Sequence, residues 1–188
     1  MSELIDVKSN FKKLKRSLQQ SDKAVRQAVL SSLNRATQRA KTEAGRKTRE
    51  KYVVKQKDVV QTLSVRKANG NDLQAVITSK GHTIPLINFS VAPKRKLKRA
   101  PKALKAAVYR GGARKSIPGA FIATAGSHLG VFMRKGRKRL PIGELRGPAV
   151  PSMVGNEEVR EHVQQVYGEE MQKRLPHELD RVLGRLKA

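Results

Sequence analysis

Cysteine and tryptophan are absent from these 188 residues, aromatic side chains make up only 4 %, and Asp and Glu are outnumbered 15 to 41 by Lys and Arg. Without cysteine there is no disulfide, no thiolate zinc site and no cysteine nucleophile, a composition at home in the reducing cytosol. No apolar run approaches the roughly 18 residues that span a membrane. Residues 1–18 lack the apolar core and small-residue cleavage site of a secretory signal. The expectation is a protein made inside a cell, with no membrane among its partners.

The shortage of acids excludes more chemistry than it permits. A two-metal nuclease needs several carboxylates converging on its ions, yet only Asp58, Asp72 and Glu144 lie between Lys51 and Asn156. The remaining acids of the C-terminal part are interspersed with Arg and Lys and read as a solvated helix face, with Glu157 and Glu158 favoured by the helix dipole. His82, His128, His162 and His177 show no ligand spacing. Neither a phosphate-binding loop nor a nucleophile elbow occurs. The expectation is no enzyme, no metal and no cofactor.

What is present is positive charge, unevenly laid out. The formal charge is +26, and it divides into +8 over residues 1–50, +4 over 51–87, +15 over 88–147 and −1 over 148–188. Lys94, Arg95, Lys96, Lys98 and Arg99 make one cluster, continued by Lys102 and Lys105. Arg134, Lys135, Arg137, Lys138 and Arg139 make a second. Such blocks repel themselves and call for a polyanion or an acidic protein surface. These twelve residues are the candidate contacts for DNA or an acidic partner. Phosphate neutralisation needs only cations and carries no sequence information. The scattered Phe and Tyr residues offer no stacking cluster for single strands.

Leu, Ile, Val and Phe number 46, about a quarter of the chain, enough for one core but not comfortably so at a mean hydropathy of −0.57. The fifty N-terminal residues read as helix. Leu4, Val7, Phe11, Leu14 and Leu18 keep helical spacing. Ser21 or Asp22 can cap a second, long helix to about Arg49, carrying Val25, Val29, Leu33, Ala36, Ala40 and Ala44 on one side. Its small alanine face either reflects helix propensity alone or fits it against a sheet or a neighbouring subunit.

Beyond it, residues 56–61 read as a short helix. Strands are expected at 62–67 and 73–79 around an Asn69-Gly70-Asn71 turn, then at 85–91, 105–110, 129–133 and 140–145. Residues 117–122 read as a turn leading into an apolar segment. Pro148, Pro151 and Gly155 break structure before a final helix with Val159, Val163, Val166 and Met171 on one face, interrupted at Pro176. The order helices, strands, helix predicts an α+β fold: N-terminal helices including one long helix, a central, mostly antiparallel sheet with basic loops, and a C-terminal helix packed on that sheet. One domain over 1–188 is expected, with a helical part (1–50), a basic β region (51–147) and a C-terminal helical part (148–188).

Three motifs then point further. The run Ile117-Pro118-Gly119-Ala120-Phe121-Ile122 after a polybasic stretch, the pair Leu140-Pro141-Ile142 and Gly147-Pro148-Ala149-Val150-Pro151, and the ending Arg174-Leu175-Pro176-His177-Glu178-Leu179 occur in that order. Together they resemble the prophage minor tail protein Z family, the lambda-like tail completion proteins. The resemblance implies a structural virion protein of a tailed bacteriophage, acting in the neck at the head-proximal end of the tail after assembly in the host cytoplasm. It implies a homo-oligomeric ring, commonly sixfold, and neighbours such as the tail terminator, the tube and the head-tail connector. It also implies a part in joining head to tail and in positioning or passing the DNA end, without reading sequence. Ile117, Pro118, Phe121, Pro148 and Val150 are the candidate subunit contacts. The other class compatible with the composition is a basic RNA- or DNA-binding protein of ribosomal or nucleoid-associated type.

Overall fold

The computed structural model describes residues 3–5, 23–97, 103–126 and 128–187. Helix α1 (Lys23–Lys51) is 29 residues long, about 44 Å at 1.5 Å per residue. Its expected stripe is buried: Val29, Leu33, Ala36, Ala40 and Ala44 are at most 3 % exposed. Within the chain this stripe does not pack chiefly on a sheet. Its main partner is α4 (Glu157–Lys187), the C-terminal helix of the same chain. Small side chains on α1 let α4 approach closely, and Val159, Val163, Tyr167 and Met171 fill the seam. Tyr167 is buried where Val166 was expected, and Val166 is half-buried. The expected capping residues Ser21 and Asp22 lie outside the described residues.

The short helix α2 (Gln56–Gln61) has the expected limits. It lies against α1 at Gly45, where an added Cβ would come within 2.5 Å of Val60 Cγ2. Behind it, β2 (Leu63–Arg66) and β3 (Val76–Ser79) form an antiparallel hairpin in the register Leu63↔Ser79. Asn69 Oδ1 accepts from the backbone N–H groups of Asn71 and Asp72, both at 2.9 Å, and so shapes the turn. The other edge of β3 pairs with β1 (Glu3–Ile5), Ile5 opposite Ile77. Leu4 is therefore in a strand and not on a helix. Local periodicity contains no record of the open edge that β1 satisfies. Val7, Phe11, Leu14 and Leu18 lie outside the described residues. Leu63 and Ile77 join α1 and α4 in one hydrophobic core.

The α+β class holds, but among the described residues the strands divide into four small antiparallel sheets in place of one central sheet. The stretch read as one strand at 85–91 splits into β4 (Thr83–Pro85), a 3-10 turn (Leu86–Asn88) and β5 (Ser90–Ala92). The turn lets Leu86 and Phe89 point into a second core with Leu104, Ile122, Val131 and Met153. Sheet β5–β6–β7 uses β6 (Ala103–Ala107) and β7 (Lys115–Pro118), and sheet β8–β9–β10 uses β8 (Ala120–Ala125), β9 (His128–Arg134) and β10 (Ile142–Glu144).

Proline explains three departures from the sequence reading. Pro148 lies within β11 (Arg146–Ala149), which pairs only with β4 and shifts register between Arg146 and Ala149, so its missing N–H breaks no interior ladder. Pro151 sits in the first turn of α3 (Val150–Val154), where that N–H has no helical partner anyway. Pro176 is inside α4, which continues through it. Leu175 packs on the core just before it, and Glu178, buried just after it, is bound by Arg181. The turns on both sides are thereby anchored against the break.

Candidate functional site

The register of the two basic-loop sheets brings together segments far apart in sequence. Ala103, where the chain leaves the first basic stretch, pairs with Pro118 at the end of β7. Two residues later Ala120 opens β8 and pairs with Met133, next to Arg134 at the start of the second basic stretch. Paired Cα atoms are about 5 Å apart and two residues span at most about 7 Å, so Ala103 and Met133 lie within roughly 18 Å. Both basic loops thus emerge at one end of the β region, on either side of the Pro118-Gly119 corner. Gly119 has φ +72°, the left-handed conformation this sharp exchange between sheets requires.

Lys94, Arg95, Lys96, Lys105, Arg134, Lys135, Arg137, Lys138 and Arg139 are all exposed on this basic rim. Lys98, Arg99 and Lys102 lie outside the described residues. Among the described residues, none of these nine exposed cations forms an ion pair. Arg134 places its guanidinium carbon 5.9 Å from the centre of the Phe121 ring. The one acid of residues 88–147, Glu144, is bound from β9 and β11: His128 Nε2 stands 3.0 Å from Oε1, and Arg146 Nη1 donates to Oε2 at 3.1 Å. Arg110, Arg114 and Arg146 are also tied to protein oxygens, those of Arg49, Ser90 and Thr83.

The helical layer is the electrical opposite. Lys47 and Lys51 of α1 hold Glu158 of α4 at 3.2 and 2.6 Å, and these bonds keep the Glu158 carboxyl below its usual value. Glu43, 3 % exposed, receives Arg46 at 2.7 Å and Arg39 at 3.2 Å, with His162 Nε2 at 3.6 Å from α4. Burial pushes its carboxyl up, but the two guanidinium groups and His162 outweigh that and hold it below the ordinary glutamate value. Glu178 is likewise 2 % exposed. These buried acids were not legible as such, since the C-terminal acids read as a solvated face.

The proposed subunit contacts do not form one surface. Pro118 is exposed, while Ile117 and Phe121 are half-buried beside it, at the rim. Pro148 is half-buried on β11, and Val150 is 4 % exposed inside the first core, where it offers no surface to another subunit. Apolar side chains that local pattern does not mark as exposed also lie at the rim: Leu97, Met133 and Leu140 are 39, 41 and 66 % exposed. Their signal was present, as each lies within or beside a basic run.

Among the described residues no three His, Asp or Glu side chains converge on a metal position, and no helix is long and apolar enough to cross a membrane. The exposed Lys and Arg side chains of the rim have the chemistry to hold a negatively charged surface. Residues 9–187 match the family model for prophage minor tail protein Z. No curated protein and no solved structure matches the chain.

Proposed function

The chain belongs to the prophage minor tail protein Z family, which makes it a phage minor tail protein, and from that premise we propose that it is a tail completion component of the virion neck. In this reading it acts as one unit over residues 1–188, assembles in the host cytoplasm into a ring, commonly sixfold, and sits between the tail terminator or tube and the head-tail connector. It supports head-tail joining and the positioning or passage of the DNA end. Its work is structural, not enzymatic.

The observation that carries this reading is the rim of cations that make no ion pair among the described residues, beside a helical layer in which the acids Glu43, Glu158 and Glu178 are paired within the chain. A protein with that division is stable in its own core yet electrostatically unfinished at one end. An assembly that presents a negative surface, whether phosphates or carboxylates, completes it. Phosphate contacts of this kind position a duplex without reading its bases.

Replacing Lys94, Arg95, Lys96, Lys98 and Arg99 with neutral residues should yield tails that assemble but particles that do not infect. Normal infectivity of that variant would overturn the role assigned to the rim. Sedimentation of the native protein with host ribosomes in place of virions would favour the nucleic-acid-binding alternative.

A further inference from the structure

A ring built from a chain of charge +26 must solve a problem of self-repulsion, because two basic surfaces cannot meet. The described acids restrict the solution. Glu43, Glu50, Glu158, Glu170 and Glu178 in the helices, Asp72 in the hairpin and Glu144 in the β region each face Arg, Lys or His of the same chain. Asp58 follows Lys55 and Lys57 and makes no ion pair among the described residues. Apart from Glu3 in β1, the rest lie on α4: Glu157, Glu161, Glu169 and Asp180 are exposed and make no ion pair among the described residues.

Spacings of four and eight residues place Glu157, Glu161 and Glu169 within about 120° of the helix circumference. That arc is opposite Val159, Val163 and Tyr167, which bury against α1. Gln165 Nε2 donates to Glu169 Oε1 at 2.8 Å within the same arc. Arg160 and Lys173 stand towards its margins. The outer face of α4 is thus a negative strip on an otherwise basic molecule.

We propose that the outer face of α4 in one copy of this chain docks on the basic rim of the next, making a head-to-tail contact that repeats around the ring. This rests on the ring reading given above. The occupant of the rim is a second copy, argued from charge: the negative strip on α4 complements rim cations that make no ion pair among the described residues. Exposed Leu97, Met133 and Leu140 among the cations favour a protein surface over duplex DNA. A phosphate backbone has nothing apolar to cover them, whereas the alkyl stems of Gln164 and Gln165 do. Different patches meet at the contact, so the arrangement is heterologous and closes only as a ring or continues as a filament.

The test is a charge swap on the full chain, read as mass in solution at low ionic strength. One variant carries Glu157→Lys, Glu161→Lys and Glu169→Lys, and the other Lys135→Glu, Arg137→Glu and Lys138→Glu. Each alone should shift to the monomer mass of 20.9 kDa. Their equimolar mixture should recover the wild-type oligomer, because reversed strip meets reversed rim and unreversed strip meets unreversed rim. Recovery on mixing also shows that both variants are folded. A wild-type chain that is monomeric under all conditions overturns the ring reading and the inference together. A wild-type oligomer indifferent to either reversal, or a mixture that stays monomeric, overturns the inference alone. So does a rim-reversed variant that keeps the oligomer and loses only its binding to a duplex oligonucleotide.

Discussion

Glu178 Oε1 on α4 lies 3.7 Å from Arg35 Nε on α1, and its other oxygen receives Arg181 Nη2 at 2.6 Å. The carboxylate is buried two residues past Pro176, where α4 has lost a backbone hydrogen bond. One ionised group therefore ties the stretch of α4 beside Pro176 to α1 and pairs with two arginines at once.

Replacing Glu178 with alanine should cost about 1–3 kcal/mol, as expected when charged hydrogen-bond partners lose their acceptor. Urea denaturation at neutral pH measures it. A loss near zero would mean that the arginines simply turn to solvent and that α4 is held by its apolar face alone.

The same carboxyl sets part of the acid limit. Burial pushes it up, but the hydrogen bond and charge of Arg181, with Arg35 and His177, bring it below the ordinary value of 4.5. A depressed folded value means stability that is fully present above about pH 4.5 and lost as pH falls through the folded value. Glu178→Gln should therefore lose less stability than the wild type as pH falls below about 4.5. Parallel acid limbs in the two proteins would sink the assignment.

At the alkaline end Tyr52 plays the corresponding part. Burial first, then Tyr109 and Glu158, push its hydroxyl from 10.0 up to about 12. The unfolded chain ionises earlier, so this contribution is complete below about pH 10 and declines as pH rises toward the folded value. Tyr52→Phe should flatten the fall in stability over that window. An unchanged slope would contradict it.

Gly147 faces Phe89, the largest fully buried side chain of the second core, and a Cβ there would collide with the Phe89 ring. Gly147→Ala should cost about 1–3 kcal/mol through overpacking. Gly136→Ala, where nothing lies within 4 Å, should stay within about 0.5 kcal/mol. Thermal unfolding of the pair decides it, and equal melting temperatures would refute the packing account.

Much of this architecture could be read from the chain, and where it could not the cause is identifiable. The stripe from Val25 to Ala44 and the helix Gln56–Gln61 are local patterns, and both stand as read. What α1 packs against is a non-local fact, carried by Val159 and Tyr167 far along the chain. The basic clusters were legible as composition, but their meeting at Pro118-Gly119 depends on the pairs Ala103↔Pro118 and Ala120↔Met133. Register of that kind is a property of two strands together. Pro148 and Pro176 misled because proline reports a missing donor and says nothing about whether the surroundings tolerate it. The burial of Glu43 and Glu178 follows from partners on both helices, a feature hidden when each helix is read separately.

The pairing of α1 with α4 has a consequence for the order of events on the ribosome. Lys51 Nζ donates to Asn156 Oδ1, 105 positions further along the chain, and the seam above it needs Val159 through Met171. The helix made early must therefore wait, alanine face open, while the whole cationic β region is synthesised. The first core closes only once the last helix has left the exit tunnel. A chain stalled before residue 157 would present the cell with an uncovered apolar stripe attached to an unneutralised polycation, a natural substrate for chaperones and proteases.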